Sequence, residues 1–367
     1  MSEGAGMRPR WIGGIEPPGE LLSASGTAIL ELECRQQPAK LRELLEAYHG
    51  NPALRTNLAQ LRELAKRPGP VLFIGMGASL CSAISGSTLL QSHGRLSFSL
   101  DAGEWLHYAE PLWKQAAASV LLTTSGESAE LVHLMQRTEE LPVGLICNNE
   151  ASPCWRLAKY PLPILAGPEY GNATKTYTNA TAAAIILASE MMGLEWRQEA
   201  ANAEAVFSGN MERIFAMGEE LEVFCRGAAN TEIVGRGAGH GAAVMSALCI
   251  REMTGHRAAA HTGAGFRHGP NLDVDATHVA IVFALGRMAD AGVKLAAECN
   301  RRGGKVVLVS SREQQVTERL LPIRIPEVPE PWEAITSLLV PQALTLAMTE
   351  RSGCRLPPRF QYGVMEE

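Results

Sequence analysis

An internal repeat is the feature that most restricts how this chain can fold. Three apolar segments recur after nearly the same interval, and the first of them runs into Gly-x-Gly in both copies. The matching positions are Gly75 with Gly235, Leu122 with Phe283, and Val143 with Lys305, which are 160, 161 and 162 residues apart. Three segments that share almost one offset indicate a duplicated unit.

Strand-like and helical patterns alternate within the first copy. The predicted strands are 71–75, 96–100, 119–123, 143–147 and 162–165. The predicted helices are 78–92, 127–138 and 173–192. This alternation favours an α/β fold with a parallel sheet that is covered by helices on both faces. Ligands in such folds bind at the carboxyl ends of the strands.

Helical periodicity also flanks the first copy. A helix is predicted over Thr27–His49 with a break at Gln37-Pro38, because proline cannot donate a helical hydrogen bond. A second helix is predicted over 52–66, and a more polar helical stretch, 194–225, joins the two copies. The second copy is predicted to contain a helix over 241–254.

Two strand-to-helix turns in the first copy have the composition of an anion site. The strand that ends near Leu122 leads into Thr123, Thr124, Ser125, Gly126, Glu127 and Ser128. The strand 71–75 leads into Gly77 and Ser79. Free N–H groups at a helix N-terminus attract anions, and short hydroxyl side chains add donors. If the two strands are neighbours, both helix starts face one phosphate. The alternative is an ordinary helix cap.

The second copy has Ala284-Leu285-Gly286-Arg287 at the equivalent turn, so the first copy is expected to hold the anion site.

A dinucleotide site is a poor match to the glycine-rich turns. Leu80 stands where the third glycine of G-x-G-x-x-G would follow Gly75 and Gly77. The turn at Gly237 and Gly239 fits a looser form, but no acidic residue follows at the end of a second strand. No cofactor is expected.

Composition excludes several classes of partner. The chain has 367 residues, 46% hydrophobic content and a formal net charge of −6. No cluster of basic residues is dense enough to form a nucleic-acid-binding face. No apolar run approaches the roughly 20 residues of a membrane span. The eight cysteines form no C-x-x-C pair, so neither a metal site nor a disulfide framework is predicted, and a cytoplasmic location is expected.

Acid–base chemistry is predicted in the second copy. Glu252 lies near the end of the predicted helix among apolar neighbours, an environment that raises a carboxyl pKa towards the range of a general base. Sixteen residues later, His268 stands in a Gly-rich loop before Gly269 and Pro270. An ordinary surface glutamate beside Arg251 is the alternative for Glu252. The other histidines nearby, His240, His256 and His261, are interpreted as structural.

These motifs together resemble those of the SIS (sugar isomerase) family. The phosphate loop of that family, S-x-S-G-E-[TS], is similar to 123–128, and its Gly-[TS]-Ser helix start is similar to 77–79. A family segment E-x-G…T-K-x-[FY]-T is similar to 169–178, and the family block with Glu and His-Gly-Pro is similar to 251–270. The resemblance covers roughly residues 27–364.

The resemblance implies two similar SIS lobes, each a flavodoxin-like three-layer sandwich with a parallel sheet. The expected divisions are a flexible leader 1–26, helices 27–67, the first lobe 68–193, linking helices 194–226, the second lobe 227–352, and a tail 353–367 that reaches the active site. A phosphorylated sugar or amino sugar is the implied substrate. The implied substrate-binding residues are Gly77, Ser79, Thr123, Thr124, Ser125, Gly126, Ser128, Glu169, Thr174, Arg359 and Tyr362.

The same resemblance implies roles for the two catalytic candidates. Glu252 would move a proton between C1 and C2, and His268 would assist ring opening. In synthase-like members that histidine comes from the partner subunit, so a homodimer is implied.

Departures from the synthase pattern narrow the expected activity. Met245 and Cys249 stand where the synthase-type isomerase has a glutamate and a lysine, and Gly265 replaces a glutamate of the His-Gly-Pro loop. Phe266 and the tail, 358–364, are closer to the fructosamine-6-phosphate deglycases. With no glutaminase domain preceding the lobes, glutamine-dependent amination is not expected. The favoured activity is therefore a deglycase, with an aldose–ketose isomerase or amino-sugar-phosphate deaminase as the alternative, and a non-catalytic sugar-phosphate sensor as the third.

Overall fold

Two five-stranded parallel sheets form the centre of the molecule. The computed structural model describes residues 19–137 and 143–355. The strands of the first sheet are β1 (Val71–Gly75), β2 (Ser97–Asp101), β3 (Ala118–Thr123), β4 (Val143–Cys147) and β5 (Tyr160–Pro163). Those of the second are β6 (Asn230–Gly235), β7 (Ala258–Thr262), β8 (His278–Ala284), β9 (Lys305–Ser310) and β10 (Leu320–Arg324).

The two sheets have the same topology, which confirms the predicted α/β fold. Their orders are β2-β1-β3-β4-β5 and β7-β6-β8-β9-β10, the flavodoxin-like order 2-1-3-4-5 in both cases. All neighbouring strands pair in parallel. The last residues of β1, β2, β3 and β5 lie 160 or 161 residues before the last residues of β6, β7, β8 and β10. The repeat in the sequence is therefore a repeat in the fold.

Helices cover both faces of each sheet. The helices up to the second lobe are α1 (Gly19–Leu22), α2 (Gly26–Gly50), α3 (Pro52–Ala65), α4 (Ala78–Ser92), α5 (Ala102–Glu104), α6 (Ala129–Gln136), α7 (Pro153–Leu157), α8 (Lys175–Met192), α9 (Arg197–Phe215) and α10 (Gly218–Cys225). Those of the second lobe are α11 (Gly239–Thr254), α12 (Gly263–Arg267), α13 (Ala289–Arg301), α14 (Glu333–Thr336) and α15 (Leu339–Ser352). Short π or 3-10 turns occupy Trp105–Ala109, Glu110–Gln115, Pro270–Leu272 and Gly286–Met288.

One hydrophobic core joins the two lobes. Side chains alternate between the two faces of each strand, so Phe73 packs into this shared core while Leu72 and Ile74 pack on the outer face of the first sheet. Ile281 of the second sheet lies in the same shared core. Helix α8 crosses the core and is buried on all sides from Lys175 to Ser189, because it contacts α2, α3 and α4 together.

The predicted break at Gln37-Pro38 is wrong. Helix α2 continues from Gly26 to Gly50 with Pro38 in its interior. Proline lacks the N–H that would bond to the carbonyl of Cys34, but the side-chain amide of Gln37 donates to that oxygen at 3.1 Å. Gln37 is itself buried and also donates to Gln342 at 3.0 Å. A side chain thus replaces the missing helical hydrogen bond.

Several element boundaries differ from the expected ones by a few residues. Helix α6 begins at Ala129 instead of 127, and β5 lies at Tyr160–Pro163 instead of 162–165. The polar stretch 194–225 is two helices, α9 and α10. The described part of the expected leader contains α1 and the start of α2. No described helix has both the length and the apolar character to cross a membrane.

Candidate active site

The carboxyl ends of β1 and β3 lie side by side in the first sheet, and we call the region beyond them the crevice. These strands are neighbours, with Ile74 beside Leu121, although β2 separates them in the chain. The chain therefore leaves β1 and β3 towards opposite sides, and this topological switch point is where open α/β sheets bind ligands. The two predicted turns, 75–79 and 123–128, both lie here. The condition under which both turns face one anion, that their strands are neighbours, is therefore met.

Hydrogen bonds within the turn 123–128 hold its backbone. The hydroxyl of Thr123 accepts from the N–H of Gly126 at 3.0 Å, and that of Ser125 accepts from the N–H of Glu127 at 3.2 Å. Gly126 has a φ of +67°, and a Cβ at this residue would lie 2.1 Å from the hydroxyl oxygen of Ser152. Thr123 is buried. Thr123, Ser125 and Gly126 therefore shape the turn, and their direct contact with a ligand stays a prediction.

Three other hydroxyl groups are available at the crevice. Ser79, Thr124 and Ser128 are partly exposed, and their side chains form no hydrogen bond with any residue in 19–137 or 143–355. Ser128 precedes α6 without capping it through its side chain, and Gly77 precedes α4 with a φ of +52°. The N–H groups in the first turn of α6 are thus open to an anion. At the start of α4 the N–H groups of Ser79 and Leu80 already donate to the carbonyl of Met76, so only that of Ala78 is without a partner among the described residues.

Helix α11 brings Glu252 from the second lobe to this crevice. It runs antiparallel to α4, since Cys81, Ser85 and Thr88 of α4 lie next to Gly241, Ala238 and Gly237 in that order. Gly241 allows this close approach, because a Cβ there would lie 2.4 Å from the carbonyl oxygen of Cys81. The end of α11 consequently lies beside the start of α4. The charge of Glu252 contributes to raising the pKa of the Cys81 thiol to about 12, mainly a burial effect.

Asn172 of the first lobe holds the carboxylate of Glu252. Its side-chain amide donates a hydrogen bond to Oε2 of Glu252. Asn172 is fully buried and lies between β5 and α8. Sequence reasoning missed this residue, although it falls inside the segment 169–178 on which the family resemblance rests.

Glu169 and Thr174 form the buried support of Asn172. The carboxylate of Glu169 accepts from the N–H and the hydroxyl of Thr174 at 2.9 and 2.8 Å. It also accepts from the N–H and the hydroxyl of Thr176. Both Glu169 and Thr174 are buried, so they fix the start of α8, and substrate contact by either residue stays a prediction.

A second buried carboxyl, Glu33 of α2, supports the same segment. It accepts from the N–H groups of Tyr170 and Gly171. Burial, followed by the nearby charge of Glu169, raises the pKa of Glu33 to about 8. Burial also lowers the pKa of Lys175, whose ammonium donates to Gln36. Sequence analysis did not identify Glu33, because its partners are more than 130 residues away in the chain.

The face of α11 that precedes Glu252 is apolar. Met245 and Cys249 are both buried in the shared core. Burial, with a smaller contribution from the charge of Glu252, raises the pKa of Cys249 to about 12, so its thiol stays protonated at neutral pH. Among these three residues, Glu252 alone carries a carboxyl group.

His268 and Glu252 lie towards opposite ends of β7 within one chain, since α11 ends four residues before β7 begins and α12 follows directly after β7. His268 ends the short helix α12, is exposed, and its N–H donates to the carbonyl of Gly265 at 3.1 Å. None of the hydrogen bonds between described residues links it to the turn 123–128 or to Glu252. His256 and His261 instead bond Thr231 and Glu232 at 2.9 and 2.7 Å.

Two other predicted residues, Arg359 and Tyr362, lie outside the described residues. The last described residue, Arg355, donates its N–H to the carbonyl of Met253 at 2.7 Å, next to Glu252. Within 19–137 and 143–355, no group of three or more His, Cys, Asp or Glu side chains is placed to hold a metal ion.

Comparison with curated proteins finds relatives over most of the chain. The chain is 26% identical over 341 residues to the glutamine–fructose-6-phosphate aminotransferase [isomerizing] of Pyrococcus horikoshii, and this match covers 88% of this chain and 54% of the relative. It is 27% identical over 285 residues to the enzyme of the same name from Bartonella henselae, covering 72% of this chain and 46% of the relative. The chain thus spans about half the length of these relatives.

Solved structures share the fold at low sequence identity. The C-terminal domain of glucosamine-fructose-6-phosphate aminotransferase from Francisella tularensis superposes with a TM-score of 0.78 at 20% identity, covering 90% of this chain and 97% of that one. Tagatose-6-phosphate ketose/aldose isomerase from Escherichia coli superposes with a TM-score of 0.73 at 20% identity, covering 95% and 98%. Glucosamine-6-phosphate deaminase from Thermotoga maritima gives 0.66 at 17% identity, covering 88% and 94%.

The family assignment rests on both halves of the repeat. The SIS domain matches residues 63–189 and again residues 228–349, which include the first sheet with its crevice and the second sheet with α11. Together these ranges cover well over half of the chain, and the two sheets have the duplicated order expected of two such domains. This chain therefore belongs to the SIS domain family, with two SIS domains in tandem.

Proposed function

We propose that this chain is a phosphosugar enzyme that moves a proton between C1 and C2 of an open-chain sugar phosphate. One observation carries the proposal: Glu252 of the second lobe is held by Asn172 at the crevice where the turn 123–128 and the start of α4 leave hydroxyl and N–H groups open. An anion site and a carboxylate base thus lie on one crevice. The curated relatives, whose names specify fructose-6-phosphate and isomerization, support the same substrate class.

Each group in the crevice has a defined role in this proposal. The phosphate binds at Ser79, Thr124 and Ser128, at the N–H of Ala78 and at the N-terminal N–H groups of α6. The carboxylate of Glu252 removes a proton from the carbon that bears the hydroxyl group, the electron pair of the broken C–H bond forms a C1–C2 double bond, and the carbonyl electrons move to the carbonyl oxygen. A proton passes from the hydroxyl oxygen to that former carbonyl oxygen, and Glu252 returns its proton to the other carbon as the new carbonyl forms, which interchanges aldose and ketose.

The more specific proposal is a deglycase for a ketose-6-phosphate whose C1 carries an amine. Proton transfer from C1 to C2 converts the adduct into an imine at C1. Water adds to that carbon, the C–N bond breaks, and the amine leaves with the aldose phosphate as co-product. Met245 and Cys249, which stand where the synthase-type isomerase has a glutamate and a lysine, are buried and apolar, and this supports a site that differs from the synthase pattern.

An isomerase or amino-sugar-phosphate deaminase is the second candidate. It uses the same proton transfer, and the word "isomerizing" in the names of the curated relatives favours it. For both candidates we propose a cytoplasmic homodimer, in which His268 serves the site of the partner subunit. The exposure of His268 and its separation from Glu252 within one chain support this arrangement.

Proton NMR in D2O tests the proposal directly. The protein is incubated with fructose-6-phosphate, glucosamine-6-phosphate and a fructosamine-6-phosphate adduct. We expect deuterium at C1 or C2 with the wild type, none with Glu252→Gln, and normal incorporation with Glu63→Gln, an exposed control on α3. The substrate that releases an amine identifies the reaction.

The opposite result has a defined meaning. If no substrate exchanges deuterium while the same compounds raise the melting temperature, the chain binds phosphosugars without turnover and is a sensor. If exchange persists in Glu252→Gln, the base is another residue.

A further inference from the structure

Because the fold is duplicated, the second lobe contains a region equivalent to the active-site crevice of the first lobe. At an offset of 161 residues, the start of α4 at Ala78 corresponds to the start of α11 at Gly239, and Asn172 corresponds to Glu333. Because α4 and α11 run antiparallel, the end of α11 borders the crevice of the first sheet and the end of α4 borders that of the second. The carboxyl ends of β6 and β8 form the second switch point.

The structure contains a cavity at this second switch point. Its volume is about 190 Å³, and its lining includes Thr88, His93, Arg236, Arg287, Glu330 and Glu333. This is below the ~300 Å³ at which pockets for drug-sized ligands begin, so it suits a small metabolite. The sequence predicts an anion site in the first copy alone, because the turn after β8 lacks serine and threonine.

Arginines replace the missing hydroxyl groups. Arg236 is half-buried and forms no hydrogen bond or ion pair with any residue in the described part of the chain. Its guanidinium lies against Gly263, where a Cβ would come within 2.0 Å of Cζ. Arg287 binds Glu330 through its N–H and Nε, at 2.5 and 2.6 Å, and its two terminal nitrogens have no partner among the described residues. Unpaired arginine donors at a helix N-terminus are suited to an anion.

Glu333 is an independent sign of a ligand. It is only 7% exposed, and its Oε2 has no hydrogen-bond partner among the described residues. Burial, with a smaller contribution from the charge of Glu330, raises the pKa of Glu333 to about 8, so the group is mostly neutral at pH 7 and can donate a hydrogen bond. With Glu333 neutral, the charges of Arg236 and Arg287 outweigh that of Glu330, so these side chains give the cavity a net positive charge.

We propose that this cavity is a second ligand site, specific for a small phosphorylated polyol such as a sugar phosphate. The phosphate binds Arg236, Arg287 and the start of α11, and Glu333 and Thr88 bind hydroxyl groups. The site binds without turnover, because Gln91 occupies the position equivalent to Glu252 and its amide donates to the carbonyl of Ser97 at 2.7 Å. This proposal does not depend on the proposed catalytic function.

Calorimetric titration of the Glu252→Gln protein tests it, since that variant does not consume the probe. The probes are fructose-6-phosphate and inorganic phosphate. We expect two sites per chain for the sugar phosphate. Adding Arg236→Gln with Arg287→Gln removes one site or weakens it by roughly tenfold or more. Adding Ser79→Ala with Ser128→Ala weakens the other site.

Controls separate this inference from the catalytic proposal. Arg302→Gln, an exposed arginine on the same lobe, leaves both sites intact, and melting curves establish that each variant is folded. If the titration shows one site whose affinity falls with the arginine substitutions but not with the serine substitutions, the second site is supported even when the crevice of the first lobe binds no phosphosugar. If the arginine pair changes no binding of either probe, the proposal is wrong.

Discussion

The side-chain amide of Asn172, in the first lobe, donates a hydrogen bond to the carboxylate of Glu252, at the end of α11 in the second lobe. The two residues are 80 positions apart in the chain. Asn172 is held by a segment whose N–H groups bind two buried carboxyls, Glu33 and Glu169. The geometry of the candidate base therefore depends on contacts made by both lobes and by α2.

Replacing Asn172 tests this positioning role. We expect Asn172→Ala to lower kcat by roughly 10- to 100-fold with little change in KM, because a misplaced base affects the proton transfer more than ground-state binding. Asn179→Ala is the matched control, since Asn179 is equally buried but donates to the carbonyls of Lys40 and Ile164. Equal kcat values for the two variants would exclude a positioning role for Asn172.

The open hydroxyl groups at the crevice predict a binding defect. Ser79→Ala with Ser128→Ala should raise KM by roughly 10-fold or more and change kcat much less, because the phosphate is remote from the reacting carbons. Inhibition by inorganic phosphate should weaken in parallel. An unchanged KM would remove these two serines from the phosphate site.

Gly126 should tolerate no side chain. Its φ of +67° is unfavourable for alanine, and the new Cβ would lie 2.5 Å from the Cβ of Ser152. Gly94 has a φ of +79° with no atom near its Cβ position, so Gly94→Ala measures the backbone cost alone, about 1–2 kcal/mol. We expect Gly126→Ala to destabilise the protein more than this control in urea unfolding and to weaken phosphosugar binding. Equal destabilisation would mean that the contact with Ser152 is relieved without cost.

Gly241 should be required for the contact between the lobes. Alanine there would place a Cβ against the carbonyl of Cys81, so we expect Gly241→Ala to lower the free energy of unfolding by about 1–3 kcal/mol and to reduce kcat by displacing Glu252. Gly209 of α9 has no atom within 4 Å of its Cβ position. Gly209→Ala should therefore stabilise the protein by up to about 1 kcal/mol. Stabilisation by both changes, measured by urea unfolding, would contradict the close packing of α4 and α11.

The buried carboxyl of Glu33 predicts a pH dependence of stability. Its pKa is about 8 in the folded protein and 4.5 ordinarily, so the folded state binds the additional proton between these values. The free energy of unfolding should fall as the pH rises from about 5 to 8, by at most about 1.4 kcal/mol per pH unit from this group.

Glu33→Gln should flatten that slope even though it weakens one N–H contact, and Glu31→Gln, a partly exposed neighbour on α2 that pairs with Arg35, should preserve it. Urea unfolding at several pH values gives the comparison. A slope that is the same in Glu33→Gln and the wild type would assign the effect to other groups, among them Glu333.

Local patterns determined much of this protein. The apolar segments and their glycine turns predicted β1, β3, β4 and the repeated sheet, because strand periodicity and turn chemistry act between near neighbours in the chain. The same locality explains the error at Pro38. The sequence contains the helix-breaking Pro38. The amide of Gln37 that compensates for it is held by burial against Gln342, about 300 residues away in the chain, and no local pattern indicates that contact.

Tertiary structure decided which of the chemical groups meet. The antiparallel packing of α4 on α11 brings Glu252 to the first-lobe crevice and leaves His268 apart from it, and no spacing in the sequence encodes that crossing. It also places Arg236 and Glu333 around a second cavity, although Glu333 belongs to no recognisable motif and Arg236 is only the variable residue of a Gly-x-Gly turn. Such juxtapositions follow from the close approach at Gly241 and the shared core, which exist only once both lobes are folded together.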